Sequence, residues 1–196
     1  MEFIPIINQI LLVLTIIGQI IVAVIIVSFA TKQDNILNFF AKHALVFSFT
    51  VALVVTLGSL FYSEITGYEP CKLCWFQRIL MYPQVILLVL ALLKKDNGIV
   101  LYSLSLSFIG ALIAGYHYLL QFGIAPSIGC SAVGYSVDCA KRFIMGFGYI
   151  TIPMMSLTSF LLIISFMLVL KRTKYSYSLD KIVDPDYPKG YNKIKH

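Results

Sequence analysis

The residues best equipped for chemistry in this chain are Cys71 and Cys74, within Glu69-Pro70-Cys71-Lys72-Leu73-Cys74-Trp75-Phe76-Gln77-Arg78. The pair sits where a short polar loop enters a long apolar stretch, which places both thiols at a helix start. The first turn of a helix offers free N–H groups and a positive dipole end, and both favour the thiolate, the form that attacks disulfides. Arg78 lies one helical turn beyond Cys74 on the same face. From there it either favours the Cys74 thiolate or holds a polar head group beside the sulfur. The plainer reading is an interfacial arginine whose charge reaches out to the headgroups. Structural zinc sites use two Cys-x-x-Cys pairs or nearby histidine. The other cysteines, Cys130 and Cys139, are nine apart and make a poor zinc knuckle, so no metal is expected. Redox chemistry is the favoured reading.

The elements that must position these thiols are membrane spans. Of the 196 residues, 59% are hydrophobic and only 12% charged, with a mean hydropathy of +0.88. A soluble domain of this size needs a largely polar surface and cannot use that much apolar sequence; a polytopic membrane protein can. The net charge of +6 does not indicate nucleic acid, because the basic residues lie in links between apolar runs and in the tail. Neither a Gly-rich phosphate loop nor a basic helix face with interleaved aromatics occurs in the sequence.

Five apolar stretches are expected to span, at Ile6 to Ala30, Ala44 to Tyr62, Trp75 to Leu93, Ile99 to Leu120 and Tyr149 to Leu170. Each approaches or exceeds the roughly 20 residues of a crossing helix, and lipid, which satisfies no backbone group, requires helices. The first could be mistaken for a signal peptide ending at Ser28-Phe29-Ala30. Its start carries no positive side chain, its apolar run is too long and Lys32 follows it, so it reads as a retained span with its N-terminus outside. Lys32, Lys42, Lys94, Lys95, Lys171, Arg172, Lys174 and the tail lysines fall on one side. Lys72, Arg78, Lys141 and Arg142 fall on the other. The positive-inside rule puts the first set in the cytoplasm and the Ser63–Cys74 and Gln121–Gly148 loops outside. All four cysteines then lie on the oxidising side, where two structural staples are the plain alternative to exchange chemistry. The expected organisation is an extra N-terminal span and link (1–40), a four-helix membrane domain (41–172) and a polar, largely disordered cytoplasmic tail (173–196).

With these residues in view, the chain resembles the DsbB/BdbC family of prokaryotic membrane thiol oxidases. The resemblance covers roughly Phe40 to Leu170. It is carried by Cys71-Lys72-Leu73-Cys74-Trp75-Phe76-Gln77-Arg78, by Asp138-Cys139-Ala140-Lys141-Arg142 with Phe147-Gly148 and Ile152-Pro153, and by Gly115-Tyr116-His117-Tyr118-Leu119-Leu120-Gln121. The Cys-x-x-Cys precedes the loop pair, the reverse of the order in vitamin K epoxide reductases. The first span is additional to the family's four-helix core, and the second outer loop is short.

The resemblance implies an all-α, multi-pass protein of the prokaryotic inner membrane that re-oxidises a DsbA-like thioredoxin-fold partner and passes electrons to a quinone, either ubiquinone or menaquinone. It implies that a Cys130–Cys139 disulfide meets the partner, with attack at Cys130, and that exchange with Cys71–Cys74 carries the electrons inward. Cys74 would face the quinone, with Cys71 resolving and Arg78 holding a quinone carbonyl. Gln77 and His117 are further candidates for the head group; both also read as interfacial residues, His117 with Tyr116 and Tyr118. Pro83 is expected to bend its span for packing. Lys141 to Phe147 could lie in the interface plane. The reading from another class is a non-enzymatic membrane assembly protein with two structural disulfides, and a weaker one is a quinone-linked reductase running in reverse on a small molecule.

Overall fold

The structure, a computed structural model, describes residues 3–94, 98–125 and 138–183, with side chains from 4 to 173. Its helices are α1 (Phe3–Ala30), α2 (Asp34–Leu60), α3 (Lys72–Lys94), α4 (Ile99–Gln121) and α5 (Ile152–Val183), and a π-helical turn (Phe61–Ile65) continues α2. All five helices are long and apolar enough to cross a membrane. Among the described residues there is no strand, only a single bridge between Gly146 and Ile150.

Packing follows chain order. Helices α2, α3, α4 and α5 close a four-membered ring, each touching the next, and α1 lies outside against α5 and α2. The ring's centre is filled by Ala52, Met81, Leu88, Ala114, Phe160 and Ile163. Gly110 lets α4 and α5 approach, because a Cβ there would overlap the Phe160 ring. Deep in the ring, the buried Gln84 side chain accepts from Ser103 (2.9 Å) and Ser107 (3.1 Å). Such interhelical bonds help join helices where no hydrophobic force acts between them. Outside the ring, Ile6, Ile10, Val13, Ile17 and Ile20 of α1 are exposed, as lipid-facing residues are.

The five expected spans are present with altered ends. Helix α2 begins at Asp34 rather than near Ala44, because Asn35 to His43 carries no helix breaker and Asp34 complements the positive end of the helix. Helix α5 begins at Ile152 rather than Tyr149, because Phe147 (φ 50°) and Gly148 (φ 81°) form a left-handed turn just before it. It also continues to Val183, beyond the expected end of the span and into the expected disordered tail. The polar start of that tail, Thr173 to Val183, is therefore helical, and Pro185 follows in the sequence. Helix α3 carries Pro83 internally and runs on to Lys94.

Candidate functional site

Cys71 immediately precedes α3, and its carbonyl accepts from Trp75 N at 3.1 Å, the bond that opens the helix. Cys74 lies in the first turn. The two sulfurs are 3.4 Å apart, and both are thiols, Cys71 buried and Cys74 half-buried. Hydrogen bonding from the Cys74 thiol, opposed by burial and assisted by the His117 ring, holds the Cys71 thiol well below the usual thiol range.

The two sulfurs share one set of surroundings, and Cys74 alone also reaches a second. Cys71 packs in a buried cluster with Leu120 and Cys139, and Cys139 is disulfide-bonded. His117 sits between them: its Nε2 is 3.6 Å from Cys71 Sγ and 3.2 Å from the Cys139 carbonyl oxygen. Its Nδ1 is 3.1 Å from the Gln77 amide nitrogen. With that amide donating to Nδ1, the ring proton resides on Nε2 and is directed at the Cys71 sulfur and the Cys139 carbonyl. Gln77 and His117 are both buried, so neither is one of an exposed interfacial belt. The short segment that carries Cys139 is fastened to α4: Gln121 donates to the Lys141 carbonyl at 3.1 Å, and Arg142 Nε to the Gln121 carbonyl at 2.9 Å. The space left here is only about 20 Å³.

Cys74 also lines a second cavity, of about 140 Å³, together with Arg78, Gln77, Tyr62, Ser59 and Tyr82. Arg78 is held there by Ser59, to whose Oγ and carbonyl it donates from Nε and Nη2, each at 3.0 Å. Its guanidinium also lies over the Trp75 ring at 5.3 Å. The Tyr62 side chain is buried, and its hydroxyl has no partner among the described residues. The π-helical turn brings Tyr62 to this wall, where its ring stacks on Tyr68 (6.0 Å, 14°), which stacks in turn on Phe143 (4.7 Å, 20°). His117 is not among the described residues lining this cavity; it stands on the Cys139 side of the thiol pair.

Of the residues singled out from sequence, the structure therefore gathers Cys71, Cys74, Cys139, Gln77, Arg78 and His117 at one end of the bundle. Cys130 lies outside the described residues. The segment Lys141 to Phe147 is irregular rather than an in-plane helix, although Met145 and Phe147 are exposed. Sequence reasoning missed Ser59, Tyr62 and Tyr82. Tyr62 sits at the mouth of a span, where aromatic residues are ordinary, and no spacing sets it apart.

The donor set fits a quinone. An engineered apolar cavity of ~150 Å³ holds a benzene-sized ring, and the wall here carries an unpartnered buried hydroxyl, a guanidinium with further N–H donors and a thiol. A Cys-x-x-Cys sulfur, a head-group cation and a ring-sized space in one cavity make a two-electron acceptor site chemically reasonable.

Comparison with known proteins concerns the disulfide chemistry. The family model described as "Disulfide bond formation protein DsbB" matches residues 41–170. Disulfide bond formation protein C of Bacillus subtilis (strain 168) is 44% identical over 141 residues, covering 68% of this chain and 98% of the relative. A probable disulfide formation protein C 1 of Bacillus anthracis is 45% identical over 122 residues, 62% of this chain and 87% of the relative. The SPbeta prophage-derived disulfide bond formation protein B of Bacillus subtilis (strain 168) is 42% identical over 137 residues, 69% of this chain and 91% of the relative. No solved structure matches the chain.

Proposed function

The chain belongs to the DsbB family of disulfide bond formation proteins, and from that premise we propose that it is a membrane thiol oxidase that re-oxidises a DsbA-like thioredoxin-fold partner and delivers the electrons to a quinone. The observation that carries this reading is the two-faced thiol pair: Cys71 packs with Cys139 and His117, and Cys74 lines the cavity of Arg78.

A thiolate of the reduced partner attacks Cys130 of a Cys130–Cys139 disulfide, and Cys139 leaves as a thiolate. The partner's second thiol then displaces Cys130, so the partner leaves as a disulfide and the loop pair as a dithiol. The Cys139 thiolate attacks Cys71 of an oxidised Cys71–Cys74 pair, and Cys74 leaves. Cys130 then closes on Cys139, which frees Cys71 and leaves two electrons on the Cys-x-x-Cys thiols. His117 Nε2–H hydrogen-bonds the Cys71 thiolate released in this step, and Gln77 fixes the ring that donates it. Arg78, oriented by Ser59, and Tyr62 would hold the carbonyl oxygens of the acceptor. A quinone, when bound, supplies the acceptor for two electrons and two protons. The basic residues of the opposite links favour an extracytoplasmic site and a cytoplasmic C-terminus in a prokaryotic inner membrane.

The test is quinone reduction followed by absorbance on purified protein supplied with a reduced thioredoxin-fold partner, beside Cys74→Ala and Cys130→Ala. Turnover that requires both cysteines is expected. If the intact protein turns over neither ubiquinone nor menaquinone and both disulfides resist the partner, the cysteines are staples and the oxidase reading fails.

A further inference from the structure

The cavity beside Cys74 has a wall that residues 41–170, the family-matched part of the chain, do not supply. Leu11 and Thr15 of α1 line it. The geometry points to α1 as a built part of the acceptor site, its Leu11 and Thr15 limiting the bulk of the apolar body that the cavity admits. This deepens the quinone reading above and rests on it.

Helix α1 is seated for that task rather than resting loosely on the bundle. Leu11, Thr15 and Gln19 recur every four residues and so share one face, while Ile10, Val13, Leu14 and Ile17 are exposed on the other side. That inward face is keyed at two glycines. A Cβ on Gly146 would overlap the Leu12 side chain, and a Cβ on Gly18 would lie 2.9 Å from a Leu162 methyl. Two polar bonds then fix the helix to α5 and to the segment preceding it. Gln19 Oε1 accepts from the Tyr149 hydroxyl at 2.8 Å, and Gln19 Nε2 donates to Thr158 Oγ1 at 3.4 Å. Helix α1 thus packs on α5 and α2, the two helices between which Leu11 and Thr15 meet the cavity.

The chemistry of the walls is divided. The α2–α3 side holds the polar groups, with Arg78 and the Tyr82 hydroxyl both donating to Ser59 and the Tyr62 hydroxyl buried without a partner among the described residues. On the α1–α5 side two hydroxyls are spent on their own helices, Thr15 donating to the Leu11 carbonyl at 2.7 Å and Ser159 to the Met155 carbonyl at 2.8 Å, and Ser156 of α5 also lines the cavity. Helix α1 therefore offers bulk and hydrocarbon, not donors. A ligand with a polar carbonyl edge and an apolar ring face or tail would place its apolar part against Leu11. The family model matches the chain only from residue 41 onward, so Leu11 and Thr15 lie outside the matched part.

The single tryptophan, Trp75, lies against Arg78 and reports binding without turnover. Quenching of its fluorescence by a decyl-tailed benzoquinone gives a Kd for the full-length protein in detergent. Leu11→Phe is expected to raise that Kd at least tenfold, while Leu11→Ala shifts the preference toward a bulkier ring by a few-fold. The lipid-facing Ile10→Phe should match the wild type in both, and in the rate of thiol exchange with a reduced partner. If the wild type does not bind the probe, the quinone reading itself falls. If the wild type binds and both Leu11 variants bind both rings as it does, α1 is only a packing helix and the inference is overturned. Should Leu11→Phe fail to fold, Leu11→Ala alone decides by its ring preference.

Discussion

On one side of the Cys71–Cys74 pair there is almost no room, and on the other there is room for a ring. The Cys71 side leaves about 20 Å³ among Cys139, His117 and Gln121, hardly more than one water occupies. The Cys74 side leaves about 140 Å³ beside Arg78 and Tyr62. Sulfur exchange needs sulfurs that can touch and a donor for the one that leaves, and spare volume would only admit water. An acceptor molecule needs volume and donors aimed into it. The contrast teaches that a single helix start can serve two reactions, because Cys71, just ahead of α3, faces only the tight side while Cys74, in the first turn, borders both spaces, with the sulfurs 3.4 Å apart.

The largest effects should come from separating the two sulfurs. Both Cys71→Ala and Cys74→Ala are expected to reduce turnover to background, but with different trapped species. In Cys74→Ala, Cys71 still faces Cys139 and should accumulate a Cys71–Cys139 disulfide, seen by peptide mapping under non-reducing conditions. Cys71→Ala should give a weaker cross-link between Cys74 and Cys139, since Cys74 is only partly buried against that cluster. Equal cross-linking by the two variants would erase the distinction between the sides.

Arg78→Ala comes next. Losing a charge-assisted bond costs about 1.5–3 kcal/mol, so KM for quinone should rise by roughly 10- to 100-fold, while single-turnover exchange with the partner is unchanged. A slowed exchange step at unchanged KM would move Arg78 to the other side of the pair.

His117→Ala tests the tight side through pH. The Cys71 thiol is held below its usual range, so its thiolate ultraviolet absorbance should persist as pH falls below that range and fade only near the depressed value. His117 contributes to the lowering, so its removal must raise the pKa and move the absorbance midpoint to higher pH. A hydrogen bond to a charged group is worth about 1.5–3 kcal/mol, so a shift of about one unit or more is expected. A midpoint that stays put or falls would remove His117 from the thiolate's support. The smallest effect belongs to Tyr62→Phe, which deletes one neutral donor worth about 1 kcal/mol. It should weaken quinone binding roughly five-fold in the Trp75 quenching assay, and no change would mean that the hydroxyl meets no ligand.

What was legible in the sequence lies within single helices. Composition and apolar run length give the five spans, and spacing along α3 places Cys71, Cys74 and Arg78 within two turns of each other. Contacts between helices leave no such trace. His117 is 46 residues from Cys71, Ser59 is 19 from Arg78, and Gln19 is 130 from Tyr149; only packing brings them together. The purpose of α1 was illegible for the same reason, since Leu11 and Thr15 are ordinary residues in an apolar run. Helix ends were blurred where polar residues stayed helical, as Lys42 and His43 do in α2.

The turn at Phe61–Ile65 can be viewed as an accounting of residues. Its wider winding, with Thr66 N bonding back to the Phe61 carbonyl at 3.2 Å, amounts to one residue inserted into an α-helix. Removing one residue from that stretch would restore the ordinary winding, and each residue turns an α-helix by about 100°. The Tyr62 ring and the strap that leads to Cys71 would then be dialled apart, with no side chain lost. For this chain a deletion of three nucleotides there would be a misalignment rather than a missing part.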